Sequence, residues 1–285
     1  MHTRQRPHVC GENDTGPTLP PQARLPINRC NLPAVILGSL TYQHHPAPLI
    51  LDGLNDLHRD LWRHLDTLND PALRAEDFMA WMRGHFCLDD PAACGLTAPG
   101  GREKADYRRL VRGWGFDPDG REAAVIKGWV ESRFGLLTRF HRILLHDPGG
   151  ESEAHARFMH ERTSGLYNTN ALEAQMDLLY GFCQYELARR HPERTHLTLY
   201  RGINGLEDHE VLARPARDRA VLLLNNVNAF TRVRERADEF GDYILTARIP
   251  VTKVCCFQDL LPGLLRGEGE HLILGGVCEV TVTLL

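Results

Sequence analysis

Three short stretches in the last third of the chain carry residue types that can do chemistry together. The first is LTLYRGING (197–205). An arginine inside an apolar strand is costly unless something pairs with it. The planar fork of Arg201 suits a phosphate or a carboxylate, so it reads either as the partner of a core acid or as an anion-binding group. Gly202 leaves the neighbouring backbone open to close approach. The second stretch is NNVNAFTRVRERADEFGD (225–242). Asn225, Asn226, Asn228 and Thr231 are short polar side chains of the kind that satisfy turns and helix N-caps, and the same groups can serve a ligand. Thr231 is placed to cap a helix carrying Ala237 and Phe240. The third is LLRGEGEHLILGG (264–276), with Glu268 and Glu270 one residue apart. In an extended segment, side chains at i and i+2 share a face roughly 7 Å apart. Two acids on one face are a recurrent solution for cleaving glycosidic bonds, one stabilising an oxocarbenium-like centre while the other handles a proton. The alternative is a solvated acidic turn beside Arg266.

These stretches lie in a strand-rich region. HLTLYRGI (196–203), AVLLLNNVNAF (220–230), YILTARIPVTKV (243–254), HLILGGV (271–277) and CEVTVTLL (278–285) are rich in Val, Leu, Ile and Thr with partial alternation, and read as strands. The chain before them reads mainly as helix. Leu57, Leu61, Leu65 and Leu68 recur at helical spacing between Asn55 and His85, and Phe78, Trp81 and Met82 mark a second helix after Pro71. Residues 123–145 predict one or two helices with Trp129, Phe134, Leu137 and Phe140 inward. ALEAQMDLLYGFCQYELARRH (171–191) has the strongest helical pattern, with Arg189 and Arg190 suited to a C-terminus. Residues 33–50, with two short apolar runs and two prolines, read as short strands or an extended segment. The expected organisation is a flexible arm over 1–32, a mainly helical part over 33–192 and a strand-rich part over 193–285. The fold class is α+β.

Composition narrows the function. The formal net charge is −4, against a polyanion-binding surface, since phosphate-backbone binders carry a basic excess. No apolar run approaches the ~18 residues of a membrane helix, and no apolar segment follows the basic start, so a cytoplasmic protein with no nucleic-acid partner is expected. The eight cysteines are irregularly spaced, which favours reduced thiols. His85, Cys87 and Cys94 come nearest to a metal set but fit no standard ligand spacing, so no metal is expected.

The order of the three features — strand-borne Arg-Gly, a polar segment leading to Ala-x-x-Phe, then Glu-x-Glu entering a strand — resembles the Arg–Ser–Glu class of mono-ADP-ribosyltransferases. Longer segments, GWVESRFGL (128–136), SGLYNTNALEAQMDLLYGFCQYELARRHP (164–192), HLTLYRG (196–202) and RERADEFGDYIL (234–245), resemble the dinitrogenase reductase ADP-ribosyltransferase family. The resemblance implies a split β-sandwich over 193–285 that binds NAD, with the helical part recognising a partner or covering the cleft. It implies transfer of ADP-ribose from NAD to an arginine of dinitrogenase reductase, release of nicotinamide, reversible inactivation of nitrogenase, and control by a PII signalling protein.

By the same resemblance, Arg201 holds the NAD phosphates and Gly202 meets the nicotinamide amide through its backbone. Glu270 bonds the ribose 2′-hydroxyl and stabilises the sugar cation. Glu268 orients the target guanidinium and helps deprotonate it, a severe demand on a group with a pKa above about 12. The family's Ser-Thr-Ser segment falls on Ala229-Phe230-Thr231, so its first serine is replaced by Ala229, with Asn228 and Thr231 as substitutes at the cofactor. The glycines before each acid suggest a mobile turn that admits a protein substrate, with 261–266 in the recognition surface. Two alternatives remain on the residues alone: a NAD glycohydrolase, which uses Arg201 and Glu270 without Glu268, and a non-catalytic regulatory binding protein.

Overall fold

The structure is a computed structural model that describes residues 18–90, 92, 95, 105–140, 143–144, 153–167 and 169–284. The readings at Cys10 and Cys94, of the arm before residue 18, and of most of 91–104 and 145–152 lie outside the described residues.

The helical part opens with two short helices, α1 (Ala34–Leu37) and α2 (Leu40–His44). The apolar Ala-Val-Ile-Leu run, with β-branched Val35 and Ile36 at its centre, looks strand-like. Instead, Pro33 precedes α1, and the Ser39 hydroxyl caps α2 by accepting the Tyr42 N–H at 3.1 Å. Most of residues 34–44 is therefore helical where strands or an extended segment were expected, while 46–50 form neither helix nor strand. α3 (Leu54–Leu57) and α4 (Arg59–Asp66) follow, and the break at His58 leaves Leu57 78% exposed while Leu61 and Leu65 are buried. α5 (Pro71–His85) starts on a proline, and the Asp70 carboxylate caps it by accepting the Ala72 N–H at 2.8 Å. α6 (Tyr107–Phe116), capped by Asp106, and α7 (Arg121–Phe134) precede a two-stranded ribbon, β1 (Arg139–Phe140) and β2 (Ile143–Leu144). α7 ends one element earlier than the 123–145 reading because Gly135 takes a left-handed conformation, φ 69°. α8 (Glu153–Leu166) and α9 (Leu172–Arg190) complete the helices before the sheet.

The sheet consists of β3 (His196–Ile203), β4 (Glu210–Ala216), β5 (Arg219–Thr231), β6 (Tyr243–Pro250), β7 (Val254–Phe257) and β8 (Glu270–Leu284), with the short helix α10 (Arg234–Asp238) between β5 and β6. All its pairings are antiparallel, in the order β4-β5-β3-β6-β8-β7, with β5 also pairing β8. The circuit β5–β8–β6–β3 closes through one residue pair, Tyr200 with Thr231. Beyond it β3 continues on β6 alone, so the sheet is split there. The 271–277 and 278–285 readings are one strand, β8, whose pairing with β5 shifts register at Gly275 and resumes on both sides of it. β4 went unread: its Arg214 and Pro215 break the apolar pattern.

Buried polar side chains fasten helices to the sheet. Gln43 of α2 donates to the carbonyls of Arg248 and Glu279 and accepts the Glu279 N–H. From α9, the Tyr180 hydroxyl donates to Thr252 O, and Gln184 donates to Val251 O and Val254 O. Phe78 stacks on Phe182 at 4.1 Å between α5 and α9. Cys30, Cys183, Cys255, Cys256 and Cys278 are free and buried. Cys87, half-buried just past the end of α5, is disulfide-bonded, which corrects the reduced-thiol expectation at that residue. No described helix is long and apolar enough to cross a membrane.

Candidate active site

A cleft of about 870 Å³ lies between the two parts of the chain, in the range that takes a cofactor-sized ligand. Its walls come from α6 and the turn into α7 on one side, and from β3, β5, α10 and residues 264–270 on the other. Arg201, Gly202, Asn228, Thr231, Glu268 and Glu270 all line it. The three stretches thus converge, and register shows why. Tyr200 pairs with Thr231, and Thr231 pairs with Glu270, so β3, β5 and the start of β8 meet side by side.

Arg201 is half-buried, and its guanidinium reaches only neutral oxygens: Asn228 Oδ1 and the Ala229 carbonyl, both at 3.4 Å. It also lies 5.9 Å from the centre of the Phe230 ring. No carboxylate pairs with it among the described residues, so the core ion pair is not formed. Burial lowers its pKa with no acid to offset the shift. A cation held this way, facing a cleft, is a ready partner for a phosphate.

Asn228, buried, donates to the Asn225 carbonyl at 2.7 Å and turns its own oxygen to Arg201. It orients the arginine. Asn225 and Asn226 sit at a bulge in β5, where the register against β8 shifts between Leu224 and Val227. Opposite the bulge, Gly275 has no room for a side chain: a Cβ there would lie 1.6 Å from Asn225 O. Asn225 accepts the Arg139 N–H at 2.9 Å and donates to Arg139 O at 3.0 Å. Asn226 donates to Lys127 O and Leu136 O. These two asparagines therefore join the helical part to the sheet, a role the sequence does not reveal, since their partners lie some 90 residues away.

Thr231 ends β5 and does not cap α10, whose N-cap is Val233. Its hydroxyl donates to Glu268 O at 2.7 Å and accepts the Val233 N–H at 3.1 Å. Glu268 and Glu270 are not two positions of one extended segment. Glu268 and Gly269 form a turn, Gly269 with φ 62°, and β8 begins only at Glu270. Glu268 is exposed. Glu270 is half-buried and accepts the Gly267 N–H at 3.0 Å. Gly267 permits this contact, since a Cβ on it would lie 2.7 Å from the carboxylate oxygen. The turn is tied on both sides: Arg232 N donates to Gly269 O, Gly269 N to Gln258 Oε1, and His271 Nδ1 to Gly269 O. These bonds tie the turn, expected as a mobile element, to Arg232, Gln258 and His271.

Gly202 also serves another purpose than expected. The space a side chain would fill holds the Ala237 carbonyl of α10, 2.0 Å from an ideal Cβ. Three cleft residues carried no local signal: Arg139, which pairs with Glu210; His209; and Phe116 of α6. Burial and the nearby guanidiniums of Arg201 and Arg139 hold the His209 pKa below its usual value, and its Nδ1 is buried without a partner. Of the residues nearest to a metal set, His85 stacks on Trp81 and Cys87 is disulfide-bonded.

The chain is 37% identical over 254 residues, 87% of its length and 91% of the relative's, to a Rhodospirillum rubrum protein named NAD(+)--dinitrogen-reductase ADP-D-ribosyltransferase. No solved structure matches the chain. The model of the family described as dinitrogenase reductase ADP-ribosyltransferase matches residues 27–282, and the chain belongs to that family.

Proposed function

We propose that this chain is a cytoplasmic mono-ADP-ribosyltransferase that moves ADP-ribose from NAD to an arginine of dinitrogenase reductase, releases nicotinamide and so switches nitrogenase off. The observation that carries this reading is the acid-free guanidinium of Arg201 facing the same cleft as Glu270 and Glu268. NAD supplies a ribose carbon whose bond to the nicotinamide nitrogen breaks, the electron pair leaving with the ring. Arg201 holds the pyrophosphate with its fork. Asn228 and the Ala229 carbonyl fix the direction of that fork. Glu270, anchored by Gly267 N–H, bonds the ribose hydroxyl and faces the positive charge that develops on the sugar.

Glu268 is exposed at the mouth and accessible to an incoming arginine, which it orients and relieves of a proton as the new carbon–nitrogen bond forms. Thr231 fixes the Glu268 backbone through its carbonyl. Gly202 lets α10 close over β3, and only its backbone remains for the nicotinamide. The bonds within the 267–270 turn support a preformed acceptor site. By the family resemblance, a PII signalling protein is the regulator.

The test is labelled NAD with dinitrogenase reductase. Glu270→Gln keeps an acceptor for the Gly267 N–H but loses the charge, so labelling should drop roughly 10²–10³-fold with folding retained, as for loss of one transition-state stabilising group. Full activity in Glu270→Gln would sink the assignment. Glu268→Gln should stop labelling while nicotinamide release into water persists. Release that ignores both Glu268→Gln and the protein acceptor would favour the glycohydrolase.

A further inference from the structure

The mouth of the cleft carries side chains that the reaction does not use. Phe116, at the end of α6, is 79% exposed, and Phe240, just after α10, is 65% exposed; both line the opening. Single exposed apolar residues are normal, but two aromatics framing one opening mark a contact surface. Beside them stand Arg112 of α6 and Arg266, both exposed and both lining the cleft. Neither makes an ion pair among the described residues; Arg112 donates to the Gly263 carbonyl at 3.2 Å. Nearby arginines are neutralised, Arg232 by Asp259 and Arg236 by Glu239. The chain as a whole carries −4, so two exposed guanidiniums without an ion pair stand out at this rim, where Glu268 and Asp208 are the exposed acids among the described lining residues.

We propose that Arg112, Phe116, Phe240 and Arg266 form a docking ring for a folded protein acceptor whose target arginine is flanked by acidic side chains. This rests on the transferase reading and extends it to acceptor choice. An arginine approaching without acidic neighbours meets two uncompensated guanidiniums before it reaches Glu268. One with an acidic flank satisfies the ring and delivers its own cation to the carboxylate. Rim charges of this kind act on encounter rate and salt dependence, and exposed aromatics act as anchors. Arg112 and Phe116 come from the helical part, Arg266 and Phe240 from the strand-rich part, so acceptor recognition needs both.

The test uses the full chain with two acceptors in parallel, dinitrogenase reductase and agmatine, a free guanidine with no protein surface. Arg112→Gln, Arg266→Gln and Phe116→Ser are each expected to lower kcat/KM for the protein roughly tenfold, through KM, and the arginine variants to flatten its decline with added salt. Agmatine modification and the calorimetric affinity for NAD should stay within about twofold, as for rim positions remote from the chemistry. Equal loss on both acceptors, or weakened NAD binding, overturns the proposal, because the rim would then belong to the NAD site. Unchanged activity on the protein overturns it as well. A wild-type chain that modifies neither acceptor refutes the transferase reading itself, and the docking ring falls with it.

Discussion

Gly202→Ala separates two uses of the glycine beside Arg201. Its backbone is ordinary strand, so the substitution isolates contact from strain. An ideal Cβ would lie 2.0 Å from Ala237 O and 3.0 Å from the Phe240 Cβ, and real Cβ atoms essentially never come closer than 3.0 Å to a neighbour. One backbone therefore has to retreat by about 1 Å. β3 is poorly placed to do so, being paired with β6 along all of His196–Ile203. α10 is five residues long and gives way first, unseating the buried Ala237. Overpacking of this kind costs about 1–3 kcal/mol, a fall in Tm of roughly 2–5 °C for a chain of this size. Because Ala237 and Arg236 of α10 line the cleft, KM for NAD should rise in the same variant. Thermal unfolding and an NAD titration on one preparation test this. An unchanged Tm with a raised KM would show the space open to the ligand, and the inferred packing role of Gly202 would be refuted.

Other substitutions probe how the site is supported. Burial raises the pKa of Glu131 to about 7 from the ordinary 4.5, with the Thr138 N–H and the charges of Arg162 and Lys127 opposing the shift. Folding then takes up a proton between those values, so this group's contribution to stability falls as pH rises from about 4.5 to 7. Glu131→Gln should be more stable than wild type at pH 8, by up to about 3 kcal/mol, and no different near pH 4; equal stability at both pH values would count against the burial argument. Glu186, fully buried, accepts from Arg74 at 2.5 and 3.1 Å and from Arg190 at 2.7 Å. Glu186→Gln leaves Arg74 buried without its charge partner and should cost about 3–5 kcal/mol in denaturant melts, while Arg74→Met with Glu186→Leu recovers most of it. Asn226→Ala strips two buried carbonyls, Lys127 O and Leu136 O, of their donor, and a loss of about 1–3 kcal/mol is expected; a loss under half that would show that water replaces the amide.

What the sequence determined by itself is local. The 3.6-residue period made α9 legible from its residues, and the Val, Leu and Ile runs made β3, β5 and β6 legible, because periodicity needs no distant partner. Arg201 was legible as a group in need of a counter-charge, because an arginine in an apolar strand is expensive wherever the strand lies. The family resemblance added roles for the acids, which Glu-Gly-Glu alone could not. Tertiary structure decided the rest. Residues 34–37 and 40–44 became helices because Ser39 capping and the Gln43 bonds to the sheet outweighed their strand-like composition. Glu268 and Glu270 left the common face of a strand because Gly269 turns the chain, and that turn is bonded to Thr231, Arg232 and Gln258. The helical part is joined to the sheet beside the cleft where a bulge in β5, opposite a glycine in β8, turns two asparagines toward a segment some 90 residues earlier. Contacts across such distances depend on register and packing, and no local pattern in the chain encodes them.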